Sequence, residues 1–277
     1  MSAPARSLRD FSGRLLLVGA GNMGRALLEG WLRLELDPDK VAVIEPAPSP
    51  QIIALAQRGV MLNPDLRTLA DVTAIVLAVK PQVAAQAISP LLPVISSATI
   101  VVSIMAGRTL QFLSSALSKP CAVVRAMPNT PAAIGRGITV AVPRNANEAQ
   151  RALADRLLSA TGAVEWVNDE SLMDAVTAVS GSGPAYVFLL AETLAQAGAA
   201  AGLPAELAAK LARETVAGAG ELMHRSALAP AALRENVTSP GGTTAAALAV
   251  LMGQDGLARL MVRAVEAATA RSRELAG

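Results

Sequence analysis

The sequence predicts an α/β fold: an N-terminal doubly wound domain with a mainly parallel sheet, followed by an all-helical domain. Compact apolar runs alternate with helical stretches up to about Asn168, and a glycine-rich turn follows the first run. Beyond residue 168 the chain is rich in Ala and Leu at helical spacing and has no strand pattern. Alternating strands and helices are typical of a parallel sheet covered by helices. We therefore expect a flexible lead-in at 1–13, the α/β domain at 14–168 and the helical domain at 169–277.

Each predicted strand is a short apolar run of the kind that is buried on both faces of a parallel sheet. The runs lie at 14–19, 41–45, 60–62, 74–79, 99–104, 122–127, 137–142 and 163–167, and helices are expected from the glycine-rich turn to about residue 34, at 49–58 and at 147–160. The uncharged stretch from Val83 to Gly107 is long enough to cross a membrane. Its internal prolines and serines instead predict a helix, a proline-broken connection and a buried strand.

The composition predicts a protein that associates with copies of itself. Of the 277 residues, 52% are hydrophobic but only 2% are aromatic, and charged residues make up 17%. Globular proteins average about 25% charged residues, so we expect part of the surface to be covered by another subunit. The Ala-rich helical half suits close packing between protomers, with an ordinary monomeric bundle as the alternative.

Charge and cysteine content exclude other classes of protein. The net charge is +2, no run of Lys and Arg occurs, and few aromatic residues are available for stacking, so we expect no nucleic-acid partner. The single cysteine, Cys121, cannot form an internal disulfide and fits a reducing compartment. The N-terminus lacks the apolar core of a secretory signal. We therefore expect a cytoplasmic protein without membrane partners, in which Cys121 is a small buried residue.

A dinucleotide-binding motif follows the first strand. Gly19, Gly21 and Gly24 form a GxGxxG pattern between the first apolar run and a helical stretch. In Rossmann domains the first glycine allows a tight turn, the second lets the backbone approach the pyrophosphate, and the third brings helix and strand together. The helix that begins at Asn22 and Met23 would offer free N–H groups to the phosphates. We expect all five residues to contact the coenzyme.

The acid at the end of the second strand bears on the choice of coenzyme. Glu45 can accept hydrogen bonds from the ribose hydroxyls of NAD and would repel the 2′-phosphate of NADP. No Arg or Lys lies at 46–50, although Ser49 and Arg58 could still assist a phosphate. The coenzyme is therefore NADPH or NADH, with a mild leaning to NADH.

Two further loops follow strand ends, which is where ligands of doubly wound sheets bind. Ala78 lies at the end of the fourth strand, with Lys80 and Pro81 after it, and the sixth strand ends at Met127, shortly before Asn129. We expect both loops to reach the nicotinamide half of the coenzyme, with Lys80 as a catalytic candidate. The alternatives are a solvated lysine at a strand end and an asparagine in a turn between two prolines.

A polar, glycine-rich segment, VTSPGGTT at 237–244, interrupts the apolar helical domain. It immediately precedes the helical stretch AAALAVL. Its backbone N–H groups and three hydroxyls would converge at a helix N-terminus, which is a site for an anion such as a carboxylate. An ordinary helix cap with a turn is the alternative, but two adjacent glycines beside two threonines exceed what a cap requires. The expected substrate contacts are Val237, Ser239, Gly241, Gly242, Thr243 and Thr244.

The usual catalytic groups are scarce in this chain. The single histidine, His224, lies late in a helical stretch, and neither a metal-binding spacing of Cys and His nor a GxSxG elbow occurs. A second glycine-rich island at 180–186 could allow close approach to the coenzyme or to a partner helix. Hydride transfer tolerates this scarcity, because the coenzyme supplies the chemistry and the protein orients it. We therefore expect a nicotinamide-dependent reductase without a metal.

Six longer motifs occur along the chain in a fixed order. They are GAGNMG at 19–24, AVKPQ at 78–82, AMPNTPA at 126–132, MDAVTAVSGSGPAYVFLLAE at 173–192, VTSPGGTTAAAL at 237–248 and RSREL at 271–275. Together they closely resemble the pyrroline-5-carboxylate reductase family, from Arg14 to near the end of the chain. The segment around SPGGTT is the family's signature.

The resemblance implies a reaction and roles for these residues. The family reduces 1-pyrroline-5-carboxylate, a cyclic imine bearing a carboxylate, to L-proline with NADPH or NADH in the last step of proline biosynthesis. The carboxylate would then lie at the loop from Ser239 to Thr244, Thr244 would hydrogen-bond the ring nitrogen as a catalytic residue, and Tyr186 is a weaker proton-donor candidate. The resemblance also implies a homodimer that interlocks through its helical domains and can form larger homo-oligomers.

Two other classes of protein remain as alternatives. β-Hydroxyacid dehydrogenases share the plan of a Rossmann domain and a helical domain, but they use a lysine early in the long helix of the second domain. Here no lysine follows the SGSGPAY segment before Lys210, which argues against that class. A non-catalytic dinucleotide sensor is the second alternative, and it would not need an intact SPGGTT loop.

Overall fold

The computed structural model describes residues 7–276, and within them the chain forms one eight-stranded sheet. The strands are β1 (Arg14–Val18), β2 (Val41–Ile44), β3 (Met61–Leu62), β4 (Val72–Leu77), β5 (Ile100–Ser103), β6 (Ala122–Met127), β7 (Gly137–Arg144) and β8 (Gly162–Trp166). Their order is β3-β2-β1-β4-β5-β6-β7-β8, and every neighbouring pair is parallel except β6 and β7. The predicted doubly wound, mainly parallel sheet is confirmed.

The strands lie between two apolar cores, one on each face of the sheet. In β1, Leu15 and Leu17 belong to one core, and Leu16 and Val18 belong to the other. All four side chains are buried, as expected of a parallel strand covered on both faces. Because β1 has β2 on one side and β4 on the other, the strand order reverses there and the carboxyl ends of the three strands border a crevice.

Helices fill the connections between strands and make up the chain after β8. They are α1 (Asn22–Arg33), α2 (Pro50–Ala56), α3 (Ala84–Ile88), α4 (Leu110–Leu117), α5 (Glu148–Leu158), α6 (Met173–Val176), α7 (Gly183–Ala200), α8 (Ala205–Arg225), α9 (Pro230–Asn236), α10 (Thr243–Leu251) and α11 (Leu257–Ala276). A π-helical turn at Thr177–Gly181 follows α6. The uncharged stretch before Gly107 forms α3, a 3-10 segment and β5, as predicted. Within residues 7–276, no helix has the length and apolar character needed to span a bilayer.

The segment before β1 differs from the flexible lead-in that the sequence predicted. Leu8 and Phe11 are buried in the core that also contains Leu15, and the N–H of Leu8 donates to the carbonyl of Leu34 at 2.6 Å. Arg156 donates to the carbonyl of Ser7 at 2.7 Å. Residues 7–13 are therefore packed against the α/β layers, whereas residues 1–6 lie outside the described part of the chain.

The chain divides into two compact units. The first contains the described residues up to Gly181 together with the chain from Thr269, and the second spans Ser182–Ala268. The strands end at Trp166, close to the expected change at 168, but α6 and the π turn stay with the first unit because Met173 packs into its core. The C-terminal end of α11 joins this unit through Ser272, whose hydroxyl donates to Asp174 at 2.7 Å.

The second unit leaves much apolar surface uncovered in a single chain. Within 182–268 the buried side chains are Ala208 and Ala212, on the face of α8 that packs against α7. By contrast, Phe188 is 68% exposed and Val250 is 76% exposed. Such surface is typical of a protein interface, and it agrees with the subunit contacts predicted from the low content of charged residues.

Candidate active site

Two close backbone contacts shape the glycine-rich turn after β1. Gly19 has a φ of +92°, which side chains rarely permit, and its N–H donates to the carbonyl of Ile44 at 2.8 Å. A Cβ added at Gly24 would lie 2.2 Å from the carbonyl oxygen of Gly19. Helix α1 can therefore approach β1 only without a side chain at this position. Both structural roles are those predicted for the first and third glycines of the motif.

Gly21 leaves the N-terminus of α1 open. Nothing in the described structure lies within 4 Å of the position that a Cβ of Gly21 would occupy. Gly21 caps α1 in an extended conformation, and among the described residues no side chain caps the helix and no acid lies in its first turn. The N–H groups of Asn22, Met23 and Gly24 can therefore face a phosphate at a helix end whose dipole favours negative charge.

Glu45 directly follows β2, and its carboxylate is held by two backbone donors. Oε2 accepts from the N–H of Ala20 at 2.8 Å, and Oε1 accepts from the N–H of Ala47 at 3.1 Å. Asn63 fixes the main chain of Glu45, because its Oδ1 accepts from the Glu45 N–H at 2.8 Å and its Nδ2 donates to the Glu45 carbonyl at 2.9 Å. The carboxylate is thus held beside the glycine-rich turn, where an acid could receive the ribose hydroxyls.

A cavity of about 490 Å³ lies at the carboxyl ends of β1, β2 and β4. Its walls include Gly19, Gly21, Glu45, Ala78 and Lys80, so five of the residues predicted to bind the coenzyme are brought together. The volume lies within the usual range of small-molecule sites, about 300–1,000 Å³. The residues of this cavity fit one end of a dinucleotide, with an acid for the ribose and an open glycine at the helix N-terminus.

Lys80 is exposed and lines the same cavity as Glu45. The predicted contact of Lys80 with the nicotinamide half stays a prediction. The carbonyl of Pro81 accepts from Arg108 Nε at 3.0 Å and from Nη2 at 2.8 Å, and the guanidinium lies 4.7 Å from the ring centre of Phe112. Arg108 therefore fixes the loop after β4. No sequence pattern predicted this role, because the contact joins segments far apart in the chain.

Met127 and Asn129 lie at the end of β6 and do not line that cavity. The Oδ1 of Asn129 accepts from the N–H of Ile138 at 3.0 Å, so the side chain holds the start of β7. A Cβ at Gly181 would lie 2.5 Å from the methyl group of Met127, so a glycine there lets the π turn pack on that side chain. Asn129 thus has the structural role named as the alternative, and its contact with a coenzyme stays a prediction.

Two polar features lie near β6; the first, an ion pair, was not predicted from the sequence, whereas the second lies in the glycine-rich island at 180–186. Arg125 is 5% exposed, and its Nη1 pairs with Glu170 Oε1 at 2.9 Å; the same oxygen accepts from the N–H of Leu110 at 2.7 Å. A charged residue inside the apolar run at 122–127 was the available signal for this ion pair. The second feature is Ser180, whose Oγ is buried and has no hydrogen-bond partner among the described residues.

Two further side chains with reactive groups, those of Cys121 and His224, lie where the sequence predicted them. Cys121 is buried, and burial raises the pKa of its thiol, which disfavours the nucleophilic thiolate. His224 lies in the last turn of α8, as expected of a residue at a helix end. Cys121 therefore has the buried placement that the sequence predicted, and His224 has the predicted placement at a helix end.

The polar island of the second unit forms a turn that opens α10. Gly241 has a φ of +69°, and the N–H of Gly242 donates to the carbonyl of Ser239 at 3.0 Å. Gly242 caps α10 in an extended conformation, with no side-chain cap among the described residues. The hydroxyls of Ser239, Thr243 and Thr244 make no hydrogen bond within residues 7–276.

This loop presents the kind of donors that bind a carboxylate. The first N–H groups of α10 and the hydroxyls beside them are donors, and the helix dipole favours negative charge at that end. Val237, which is 64% exposed, and Ser239 are also accessible in the single chain. The anion site predicted from the sequence therefore has suitable geometry, while the identity of its ligand stays a prediction.

The turn after β1, the open N-terminus of α1 and the acid after β2 define a dinucleotide-binding oxidoreductase of the Rossmann class. Residues 14–107 match the family model described as NADP oxidoreductase, coenzyme F420-dependent, and residues 170–275 match pyrroline-5-carboxylate reductase dimerisation. The chain is 41% identical over 265 residues to the pyrroline-5-carboxylate reductase of a Synechocystis species, covering 95% of this chain and 98% of that relative. It belongs to the pyrroline-5-carboxylate reductase family.

Solved structures agree with this membership. A pyrroline-5-carboxylate reductase from Coxiella burnetii has 34% sequence identity and a TM-score of 0.88, with 95% of this chain and 98% of that chain covered. The Plasmodium falciparum enzyme, solved with NADP bound, has 29% identity and a TM-score of 0.79, with 96% and 99% covered. The family resemblance and the fold class are thus confirmed, and membership decides against the β-hydroxyacid dehydrogenases.

Proposed function

We propose that this chain reduces 1-pyrroline-5-carboxylate to L-proline with NAD(P)H, the last step of proline biosynthesis, and that it works as a cytoplasmic homodimer. The observation that supports this most directly is the loop from Ser239 to Thr244. In a member of this family, it offers unused hydroxyls and an open helix N-terminus to a small anion. A pyrroline carboxylate carries such an anion beside the imine that is to be reduced.

The loop binds the carboxylate of the substrate. The N–H groups of Thr243 and Thr244 and the hydroxyl of Ser239 donate to its oxygens, and the dipole of α10 adds to the attraction. Hydrogen bonds to a charged group contribute about 1.5–3 kcal/mol each. These contacts hold the ring in one orientation without any titratable side chain.

Thr244 is the catalytic residue that we assign to the ring nitrogen. A cyclic imine can arrive protonated, so the electron pair of the C=N bond moves to nitrogen when hydride reaches the imine carbon, and no further acid is required. The Thr244 hydroxyl hydrogen-bonds that nitrogen and orients the ring. NAD(P)H supplies the hydride when it is bound.

The first unit holds the coenzyme with the residues of the glycine-rich turn and of the strand ends. The open N-terminus of α1 after Gly21 receives the pyrophosphate, and Glu45 receives ribose hydroxyls. Lys80 contributes a positive charge to the same cavity. The end of β6, with Met127 and Asn129, is assigned to the nicotinamide half, as the sequence predicted.

Turnover assays test the proposal. Purified protein is mixed with pyrroline-5-carboxylate and either NADH or NADPH, and both the loss of reduced-nicotinamide absorbance and the formation of proline are measured. We expect proline in proportion to the coenzyme oxidised. Absence of proline with both coenzymes, in protein that binds at least one of them, would contradict the proposal and favour a dinucleotide sensor.

Substitutions in the loop separate binding from chemistry. Ser239→Ala removes a carboxylate donor, so we expect KM to rise about tenfold while kcat is nearly unchanged. Thr244→Val removes the contact to nitrogen, and we expect kcat to fall about tenfold or more. Thr193→Val is the matched control, because the Thr193 hydroxyl donates to carbonyls of its own helix α7. Unchanged turnover in Thr244→Val would rule out the role of this hydroxyl.

A further inference from the structure

The corner of the coenzyme cavity after β2 carries a fixed negative charge. Both carboxylate oxygens of Glu45 accept backbone hydrogen bonds, from Ala20 and Ala47, and Asn63 holds the main chain on either side. Glu45 lines the cavity together with Gly21. The carboxylate therefore cannot turn away from a group placed at this corner without losing those hydrogen bonds.

The segment that follows Glu45 offers few donors to a 2′-phosphate. Glu45 itself already occupies the N–H groups of Ala20 and Ala47. The hydroxyl of Ser49 accepts from the N–H of Ile52 at 3.4 Å and so caps α2. No Arg or Lys lies between Glu45 and Arg58, which follows the far end of α2. Ser49 is thus engaged as the acceptor that caps α2, and Arg58 follows the C-terminal end of that helix, so neither residue makes a contact that holds it at the Glu45 corner.

The positive charge of Lys80 does not make the cavity favour a 2′-phosphate. Among its lining residues in the described chain, Lys80 is the cation and Glu45 is the anion, so the walls carry no net positive charge. A ribose with free hydroxyls can donate to the carboxylate, whereas a 2′-phosphate brings a dianion towards it. Two like charges that lie close together near a protein surface repel each other strongly.

We infer that NADH, rather than NADPH, is the coenzyme of this chain and that Glu45 determines the preference. The inference refines the coenzyme of the proposed function and concerns the adenosine ribose, which takes no part in the reaction. It can therefore be tested by binding alone, without a pyrroline substrate.

Coenzyme titrations provide the test. The dissociation constants of NADH and NADPH are measured by calorimetry for the wild type, for Glu45→Gln and for Glu165→Gln. We expect the wild type to bind NADH at least about tenfold more tightly than NADPH. Glu45→Gln keeps an oxygen for the N–H of Ala20 but removes the charge, so the preference should fall about tenfold. Glu165, exposed on β8, is the matched control, and its substitution should leave the preference unchanged.

Lys80→Met provides a second control. We expect this substitution to weaken both coenzymes by a similar factor, because the inference places the charge of Lys80 beside a part common to both coenzymes and not beside the 2′-phosphate. Selective loss of NADPH binding would show that Lys80 holds the 2′-phosphate and would overturn the inference. Equal or tighter binding of NADPH by the wild type, failure of both coenzymes to bind, or an unchanged preference in Glu45→Gln would also overturn it. Preferential NADH binding without proline formation would support the inference while contradicting the proposed function.

Discussion

The dinucleotide turn and the loop that begins α10 are built in opposite ways. In the first unit, the carboxylate of Glu45 and the amide of Asn63 form hydrogen bonds with neighbouring backbone groups. In the second unit, the hydroxyls of Ser239, Thr243 and Thr244 are left without partners within the described chain. Both loops leave a helix N-terminus open, but the polar side chains beside the first hold its backbone, whereas the hydroxyls of the second remain available to a ligand.

The two units also differ in how well one chain covers its apolar residues. The first has apolar cores on both faces of its sheet, while the second exposes large side chains such as Phe188. A single chain therefore completes the dinucleotide domain but not the helical unit. The second unit needs another subunit to remove these side chains from water, and this comparison leads to three predictions.

The largest effect is expected from a charge placed in the apolar surface of α7. Phe188→Asp should convert the proposed homodimer to monomers, because the substitution removes about 1.5–3 kcal/mol of apolar burial per side chain and places a carboxylate in an apolar contact. Light scattering over a range of protein concentrations measures the outcome. Ile53→Asp on α2 is the matched control, since Ile53 is 45% exposed but lies in the first unit. A dimer that persists in Phe188→Asp would show that this side chain stays outside the interface.

The second prediction compares the stability changes caused by alanine at two glycines of the same turn, Gly24 and Gly21. Gly24→Ala should destabilise the first unit by about 1–3 kcal/mol, because the added Cβ meets the carbonyl of Gly19. Gly21→Ala should change stability by less than about 0.5 kcal/mol, since the space around Gly21 is open and its backbone is extended. The same methyl group should nevertheless hinder the approach of the pyrophosphate. Urea denaturation without coenzyme, followed by NADH titration, measures both effects.

The result for Gly21→Ala tests whether the pyrophosphate lies close to this glycine. Normal stability with coenzyme affinity reduced at least about tenfold would agree with close approach of the pyrophosphate to this glycine. Normal stability with normal affinity would show that the coenzyme does not pass over the turn. Loss of stability equal to that of Gly24→Ala would contradict the open space seen around Gly21.

The sequence predicted the elements that have a local cause. The strands are compact apolar runs, and the glycines of the turn are required by a positive φ at Gly19 and a close approach at Gly24. The packing of Leu8 and Phe11 was missed, because a short segment without helical or strand periodicity gives no pattern. Local rules identify which residues a turn needs, but they do not show where a short connecting segment packs.

Contacts between distant segments account for the other differences. Asn63 holds Glu45 and Arg108 holds Pro81, and each pair joins different crossover connections of the sheet. Lys80 was correctly placed at a strand end, but which part of the cavity it faces depends on the neighbouring strands. Such pairings follow from the topology, so a single sequence without an alignment does not reveal them.

The smallest effect on stability is expected at the π turn of the first unit. One hydroxyl there, like those of the α10 loop, has no hydrogen-bond partner among the described residues. Ser180 Oγ is buried without a partner among the described residues, whereas Thr177 in the same turn donates to the carbonyl of Met173 at 2.8 Å. Thr177→Val should therefore lower stability by about 1 kcal/mol, while Ser180→Ala should leave it unchanged or raise it. Thermal denaturation of coenzyme-free protein compares the two. If Ser180→Ala lowered stability as much as Thr177→Val, the Ser180 hydroxyl would have a hydrogen-bond partner in the free protein. Hydroxyls available to a ligand would then occur in the α10 loop and not at the π turn.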